Sequence, residues 1–178
     1  MDSAMETMID YRLFAGLNPS TQDIIRQEAE HVKLNKPILQ TIIEKEFGVP
    51  EGKLLAIWRK REVVNARMLY CAILYHTTPL TGTKVGKITG RDHSTIYYAR
   101  NSVATYLALE KDYREKTIRV LNNYYQRLYP RADMHFIKER ISLVLELLIK
   151  NKSKQGLKHG SSLNKAIPAA ENEINKAI

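Results

Sequence analysis

Apolar residues in this chain repeat at helical intervals of three and four rather than in alternation, which predicts helices throughout. Asn18-Pro19-Ser20-Thr21-Gln22-Asp23 signals a first helix, with Ser20 as its cap and Asp23 in the opening turn, where the helix dipole favours an acid. Ile24, Ile25, Ala29 and Val32 form its stripe. Pro37 opens a second helix through Ile38, Leu39, Ile42, Ile43 and Phe47, and Gly48 ends it. Val49-Pro50 then leads into a short helical turn around Leu54, Leu55, Ile57 and Trp58. A long helix from Lys60 to His76 directs Val63, Val64, Ala66, Leu69, Tyr70, Ile73 and Leu74 to the core, and Thr77-Thr78-Pro79-Leu80-Thr81-Gly82 breaks it.

Further on, a short helix spans Thr83 to Ile88, and Thr89-Gly90 turns the chain. Asp92 caps the next helix, whose Ile96, Ala99, Val103 and Leu107 recur at close to four. Lys111 to Leu128 forms another, stopped by Tyr129-Pro130, and Asp133 to Lys150 the last. From Asn151 the composition turns to Lys, Gly, Ser and Asn, which predicts a mobile tail. The fold class is all-α: a central helical domain with extra N- and C-terminal helices.

Composition agrees with a folded chain. Of 178 residues, 44% are hydrophobic and 26% charged, and only 8 Gly and 6 Pro interrupt the helices. The single cysteine, Cys71, has no partner for a disulfide or a zinc site and reads as a small buried thiol. Met1 to Asp10 carries acids and lacks the apolar core of a secretory signal. Ile141 to Ile149 is interrupted by Ser142 and Glu146 and is too short to span a bilayer. A soluble, cytoplasmic protein with no membrane partner is expected.

Charge changes the picture more. Residues 1–58 carry a net −3, residues 59–100 a net +6, residues 101–149 a net +2 and residues 150–178 a net +4, within an overall +9. Cations concentrated in one 42-residue segment and in the tail point to a polyanion. That segment holds a short helix, Lys84-Val85-Gly86-Lys87-Ile88, then a glycine turn, Thr89-Gly90-Arg91, then the helix opened by Asp92-His93-Ser94-Thr95. This is the skeleton of a helix-turn-helix. The opening turn of a recognition helix enters the major groove end-on, so its side chains must be short, polar and able to reach base edges. His93, Ser94 and Thr95 meet that need, and the helix's first amides suit a phosphate.

Gly90-Arg91-Asp92-His93-Ser94-Thr95-Ile96 resembles the signature of the C-terminal DNA-binding domain of the bacterial replication initiator DnaA. Upstream, Arg61-Glu62-Val63-Val64-Asn65-Ala66-Arg67 is similar to a second stretch of that domain, at the right spacing to Val85-Gly86. Phe47-Gly48-Val49 with Leu54-Leu55 resembles its entry. The resemblance covers residues 36–128. It divides the chain into an N-terminal helical extension (1–35), the DnaA-like domain (36–128), a C-terminal helix (129–150) and a basic tail (151–178).

The resemblance implies double-stranded DNA as partner and gives each residue a role. Arg59 enters the minor groove, where a narrow groove concentrates negative potential. Asp92, His93 and Ser94 read bases in the major groove, Asp92 by accepting from a cytosine amino group. Arg91, Thr95 and Tyr98 contact phosphate, as do Arg67 and Thr78. Charge alone adds Lys60 and Arg61 as phosphate partners. Plainer readings stand beside these: Asp92 as a helix cap, His93 as a solvated surface residue, Tyr98 packed on the first helix of the motif, and Arg59 stacked on Trp58. The chain departs from the family where a Leu-Pro pair touches a thymine methyl, since Gly82-Thr83 stands there. Its turn before Gly90 is also one residue shorter, without a Phe-Gly. The family's usual nine-base site is therefore not assumed.

No catalytic or metal centre is expected. The stretch from Gly82 to Ile88 looks like a phosphate-binding loop, but it has three residues between its glycines and Ile88 where the magnesium-binding hydroxyl belongs. His31, His76, His93, His135 and His159 show no ligand spacing, and no cofactor is implied. Tyr124-Tyr125 and Tyr129 read as packing. The function expected is a DNA-binding protein of replication-initiation control or transcription, from a phage or mobile element, with affinity that falls steeply with salt. The alternative is a structural or assembly protein, such as a virion component, that reuses the helical fold. Under that alternative Leu143, Val144 and Leu147 bury against another protein or a second copy joined through residues 133–150.

Overall fold

The structure, a computed structural model, describes residues 34–150. The helix expected from Ser20 and the tail from Asn151 lie outside the described residues. Within them the fold is six helices and no strand: α1 (Lys36–Phe47), α2 (Arg61–Thr77), α3 (Gly82–Thr89), α4 (His93–Leu109), α5 (Lys111–Leu128) and α6 (Met134–Lys150). The all-α expectation holds.

The caps follow from elementary chemistry. Asn35 Oδ1 accepts from the Ile38 amide at the head of α1, and Tyr124 Oη accepts from the Asn35 amide, which ties the entry of α1 to α5. Gly48 and Gly90 end α1 and α3 in the left-handed region, at φ of 66° and 65°, where glycine has no Cβ to clash. Two expected boundaries move. α3 begins at Gly82, because the Thr81 hydroxyl caps it by accepting from the Lys84 amide. The short helical turn expected around Leu54 to Trp58 is instead a chain of tight turns, Lys53 N to Pro50 O and Ala56 N to Lys53 O. Gly52, at φ 71°, interrupts any helix there, and Ile57 points outward rather than to the core.

α2 and α4 form the centre of the molecule, with α3 braced against both, α1 and α5 along the sides, and α6 across α2, α4 and α5. Leu69, Ile73, Leu74, Ile96, Val103, Leu107, Ile118, Leu121, Ile141 and Leu148 meet in one core. Each fully buried aliphatic side chain contributes about 1.5–3 kcal/mol relative to exposure. α6 is thus part of this core. Val144 and Leu147 are buried within the chain itself, which corrects the expectation that they seek a partner, while Leu143 is half-buried. Tyr125 stacks on Tyr129, which meets Phe136 of α6 edge-on, so the tyrosine stripe of α5 is packing. Cys71 is buried, and desolvation pushes its thiol pKa up to about 11, which leaves it an inert small hydrophobe.

His76 is one of the polar side chains buried with the apolar core. It is fully buried on α2, with its ring edge-on to Tyr75. Burial, aided by the Arg100 cation, lowers its pKa from 6.5 to about 3. The unfolded chain therefore takes the proton first as pH falls. The neutral ring's contribution is complete above about pH 6.5 and is lost progressively toward pH 3. Stability should drop by roughly 1.4 kcal/mol per pH unit in that window. Urea melts at pH 7 and pH 5 are expected to differ by about 2 kcal/mol on this account, and His76→Phe should remove most of the difference.

Candidate nucleic-acid interface

The motif forms where three local preferences meet. Gly90 turns the chain out of α3, Arg91 crosses over, and Asp92 starts α4 with its Oδ1 accepting from the Ser94 amide at 2.8 Å. That hydrogen bond holds the Asp92 carboxyl below the usual carboxylate range, so the group is ionised at neutral pH. α3 and α4 are packed at the closest approach that sequence allows. The Arg91 amide donates to Gly86 O at 2.8 Å, and a Cβ on Gly86 would lie 2.5 Å from Arg91 O. Gly86 is therefore required by contact, not by its own dihedrals. Gly82, which replaces the family's apolar entry to this helix, lies against the Tyr97 ring, and a Cβ there would come 3.3 Å from it.

The first turn of α4 is open. Asp92, His93, Ser94, Thr95 and Tyr98 are all exposed, His93 with 62% of its side chain accessible. The His93 imidazole is exposed but not isolated: its Nδ1 lies 3.0 Å from Asp92 Oδ1, and its ring meets Tyr97 edge-on. Nε2 is left as the group available to a ligand. Asp92 caps its helix with Oδ1, and the Ser94 side chain also hydrogen-bonds its exposed carboxyl, which keeps lone pairs for a base edge. Tyr97, not Tyr98, packs on the motif: it meets Tyr75 at 5.8 Å, with Arg100 over the ring. Tyr98 projects outward and is 61% exposed.

Other expected site residues divide differently. Arg59, Lys60 and Arg61 are exposed at the head of α2. Lys60 Nζ, rather than Arg59, lies over the Trp58 ring at 5.6 Å. Arg61 reaches Glu110 at 3.8 Å, a surface pair of little worth that a phosphate competes with easily. Arg67 is not a free phosphate ligand. It is half-buried and donates through Nε to Leu54 O and through Nη2 to Ala56 O and Trp58 O. Burial and the neighbouring Arg91 lower its pKa. Arg91, also half-buried, donates through Nη2 to Leu55 O and Ala56 O. Thr78 is spent at the end of α2: its hydroxyl donates to Leu74 O and accepts from the Leu80 amide.

These bonds reveal a feature the sequence reading missed. The loop from Pro50 to Lys60 is clamped from three sides. Arg67 and Arg91 hold its carbonyls, and the buried Glu44 carboxylate accepts from the Gly52 amide at 3.1 Å and the Leu54 amide at 2.9 Å. Arg91 links that loop to the turn of the helix-turn-helix, so Arg59 and the start of α4 belong to one rigid assembly. Glu44 had no sequence signal beyond an acid among apolar neighbours. Gly86 had one, in the spacing of Val85-Gly86 to the Arg61–Arg67 stretch.

The comparisons with known proteins fall on the same elements. Residues 37–103, which run from the start of α1 into the second half of α4, match the family described as bacterial DnaA protein helix-turn-helix. This segment resembles the DnaA C-terminal domain. The chromosomal replication initiator protein DnaA of Synechococcus sp. (strain JA-2-3B'a(2-13)) is 27% identical over 108 residues, 58% of this chain and 23% of that protein. The DnaA of Borrelia recurrentis (strain A1) is 28% identical over 106 residues, 57% of this chain and 20% of that protein. The DnaA of Borrelia hermsii (strain HS1 / DAH) is 30% identical over 74 residues, 41% of this chain and 15% of that protein. The chain thus matches less than a quarter of the length of each of these relatives. No solved structure matches the chain significantly. Among the described residues no helix is long and apolar enough to cross a membrane.

Proposed function

We propose that this protein binds double-stranded DNA through its DnaA-like helix-turn-helix, acting in replication-initiation control or transcription and contributing no catalysis of its own. The observation that carries this reading is the open first turn of α4, where Asp92, His93, Ser94 and Thr95 are all exposed beside a cationic loop that Arg91 locks to them. In this reading α4 enters the major groove. The Asp92 carboxylate, His93 Nε2 and the Ser94 hydroxyl meet base edges. Thr95, Tyr98, Lys60 and Arg61 take phosphates, and Arg59 reaches the adjacent minor groove. Arg67, Arg91 and Thr78 act one step back, holding the surfaces that touch DNA. The functional unit is residues 36–150, because α6 shares the core of the DnaA-like segment. The assembly reading drew on an apolar face of α6 free for a partner, and Val144 and Leu147 are buried at home.

Base and phosphate contacts make different predictions. His93→Ala should reduce discrimination between a selected duplex and a scrambled one by about 1–3 kcal/mol. Lys60→Ala should weaken both alike and flatten the salt dependence by about one phosphate equivalent. Fluorescence anisotropy with both duplexes at two salt concentrations measures the pair. Equal loss of discrimination in the two variants would contradict the assignment.

A further inference from the structure

Ile57 is 85% exposed, the most exposed large hydrophobic side chain among the described residues, yet the backbone on either side of it is held. The carbonyls of Leu54, Leu55 and Ala56 before it and of Trp58 after it are all held by the guanidinium groups of Arg67 and Arg91. Ala56 O accepts from both. The Glu44 carboxylate fixes the same loop at Gly52 and Leu54. An isolated exposed aliphatic residue is ordinary. One carried on a loop clamped from three sides is presented, because little ordering entropy remains to be lost on contact.

What surrounds the tip decides its partner. Lys53 precedes it and Arg59, Lys60 and Arg61 follow it, all exposed, with the Lys60 ammonium over the exposed Trp58 indole. Trp58 is the other exposed large hydrophobic side chain of the loop, and with the Lys60 ammonium over its ring it leaves an apolar tip too small for a protein-docking face. A small apolar tip flanked in sequence by exposed cations suits a duplex, where an apolar side chain enters between base pairs and the cations grip the strands. The loop also lies within one arginine side chain of the head of α4, through the Arg91 to Ala56 contact.

We propose that Ile57 is a wedge that enters the minor groove beside Arg59, partly unstacks one base step and kinks the duplex. The proposal rests on the duplex-binding reading above and adds deformation to it. Flexible pyrimidine–purine steps cost least to unstack, so such a step is preferred opposite the loop, and selectivity arises there without a base hydrogen bond. Wedges of this kind bend DNA by about 20–90°.

The test uses the full chain and a duplex of roughly 30 base pairs selected from a random library, labelled at both ends for energy transfer. A 2-aminopurine is placed in turn at each step flanking the contact. The expected result for the native protein is shortened end-to-end distance and a several-fold rise in 2-aminopurine emission at one step. Ile57→Gln should abolish both while leaving the thermal melt unchanged, since the side chain is exposed, and Ile57→Phe should retain the kink. Binding by the native chain with a straight duplex, or an undiminished kink in Ile57→Gln, would overturn the wedge alone. Failure of the native chain to bind any duplex would overturn the wedge and the duplex-binding reading together.

Discussion

Gly86→Ala should cost about 2 kcal/mol of stability and weaken duplex binding roughly ten-fold, the equivalent of about 1.4 kcal/mol. Helix propensity argues the other way, since Ala is better than Gly in a helix interior by about 1 kcal/mol. Contact decides the sign. The new Cβ would lie 2.5 Å from Arg91 O, a backbone atom in the turn that places α4, and His93 N is also within 3.5 Å. Neither can rotate away, so relief comes only by prising α3 from α4. That movement tilts Asp92, His93 and Ser94 together and drags the Arg91 clamp off Ala56 O. Gly82→Ala is the internal control. Its Cβ meets only the Tyr97 ring, a side chain that can yield, so its effect should stay within about 1 kcal/mol. Thermal melts of both variants with anisotropy on one duplex make the comparison. A Gly86→Ala protein more stable than the native one would show that propensity, not packing, rules the turn.

Glu44→Ala is expected to cost about 2–3 kcal/mol, because two amides, that of Leu54 buried, lose their carboxylate acceptor at once. The Gly52 and Leu54 amides lie 3.1 and 2.9 Å from its oxygens, and Glu44 is only 4% exposed. Water does not easily replace an acceptor there. Glu44→Gln should cost less, about 1–2 kcal/mol: one oxygen still accepts, while the amide nitrogen faces another donor. Both changes should loosen the loop that carries Ile57, Arg59 and Lys60. Duplex affinity should fall further than stability explains. Hydrogen exchange of the Gly52 and Leu54 amides reads the loosening directly. Unchanged exchange in Glu44→Ala would mean that the arginine clamps suffice.

Helices were legible because each carries its own punctuation. α5 lies where Lys111 and Tyr129-Pro130 bound it, α1 stops at Gly48, and Asp92 caps α4. Periodicity named Ile96, Ala99, Val103 and Leu107, and all four are buried. The same reasoning failed between Val49 and Lys60. Leu54, Leu55, Ile57 and Trp58 have helical spacing, but only Leu54 is buried, because the Glu44 carboxylate, ten residues before Leu54, and the Arg67 and Arg91 guanidinium groups hold the loop in another shape. Site residues divide by the same logic. His93, Ser94 and Tyr98 were readable as surface groups. Arg67, Arg91 and Thr78 were not distinguishable in sequence from free ligands, since what occupies them is backbone carbonyl brought in by tertiary packing. Likewise α6 carries no mark that separates a core helix from one seeking a partner.

The central claim concerns the head of α4 and the loop bound to it. Replacing Arg59, His93 and Ser94 together tests it most directly, because all three side chains are exposed and the core does not depend on them. Anisotropy on the selected duplex should show a loss of roughly 100-fold, about 2.7 kcal/mol, while circular dichroism and the thermal melt stay at native values. A triple variant that binds the same duplex as tightly as the native chain would contradict the account.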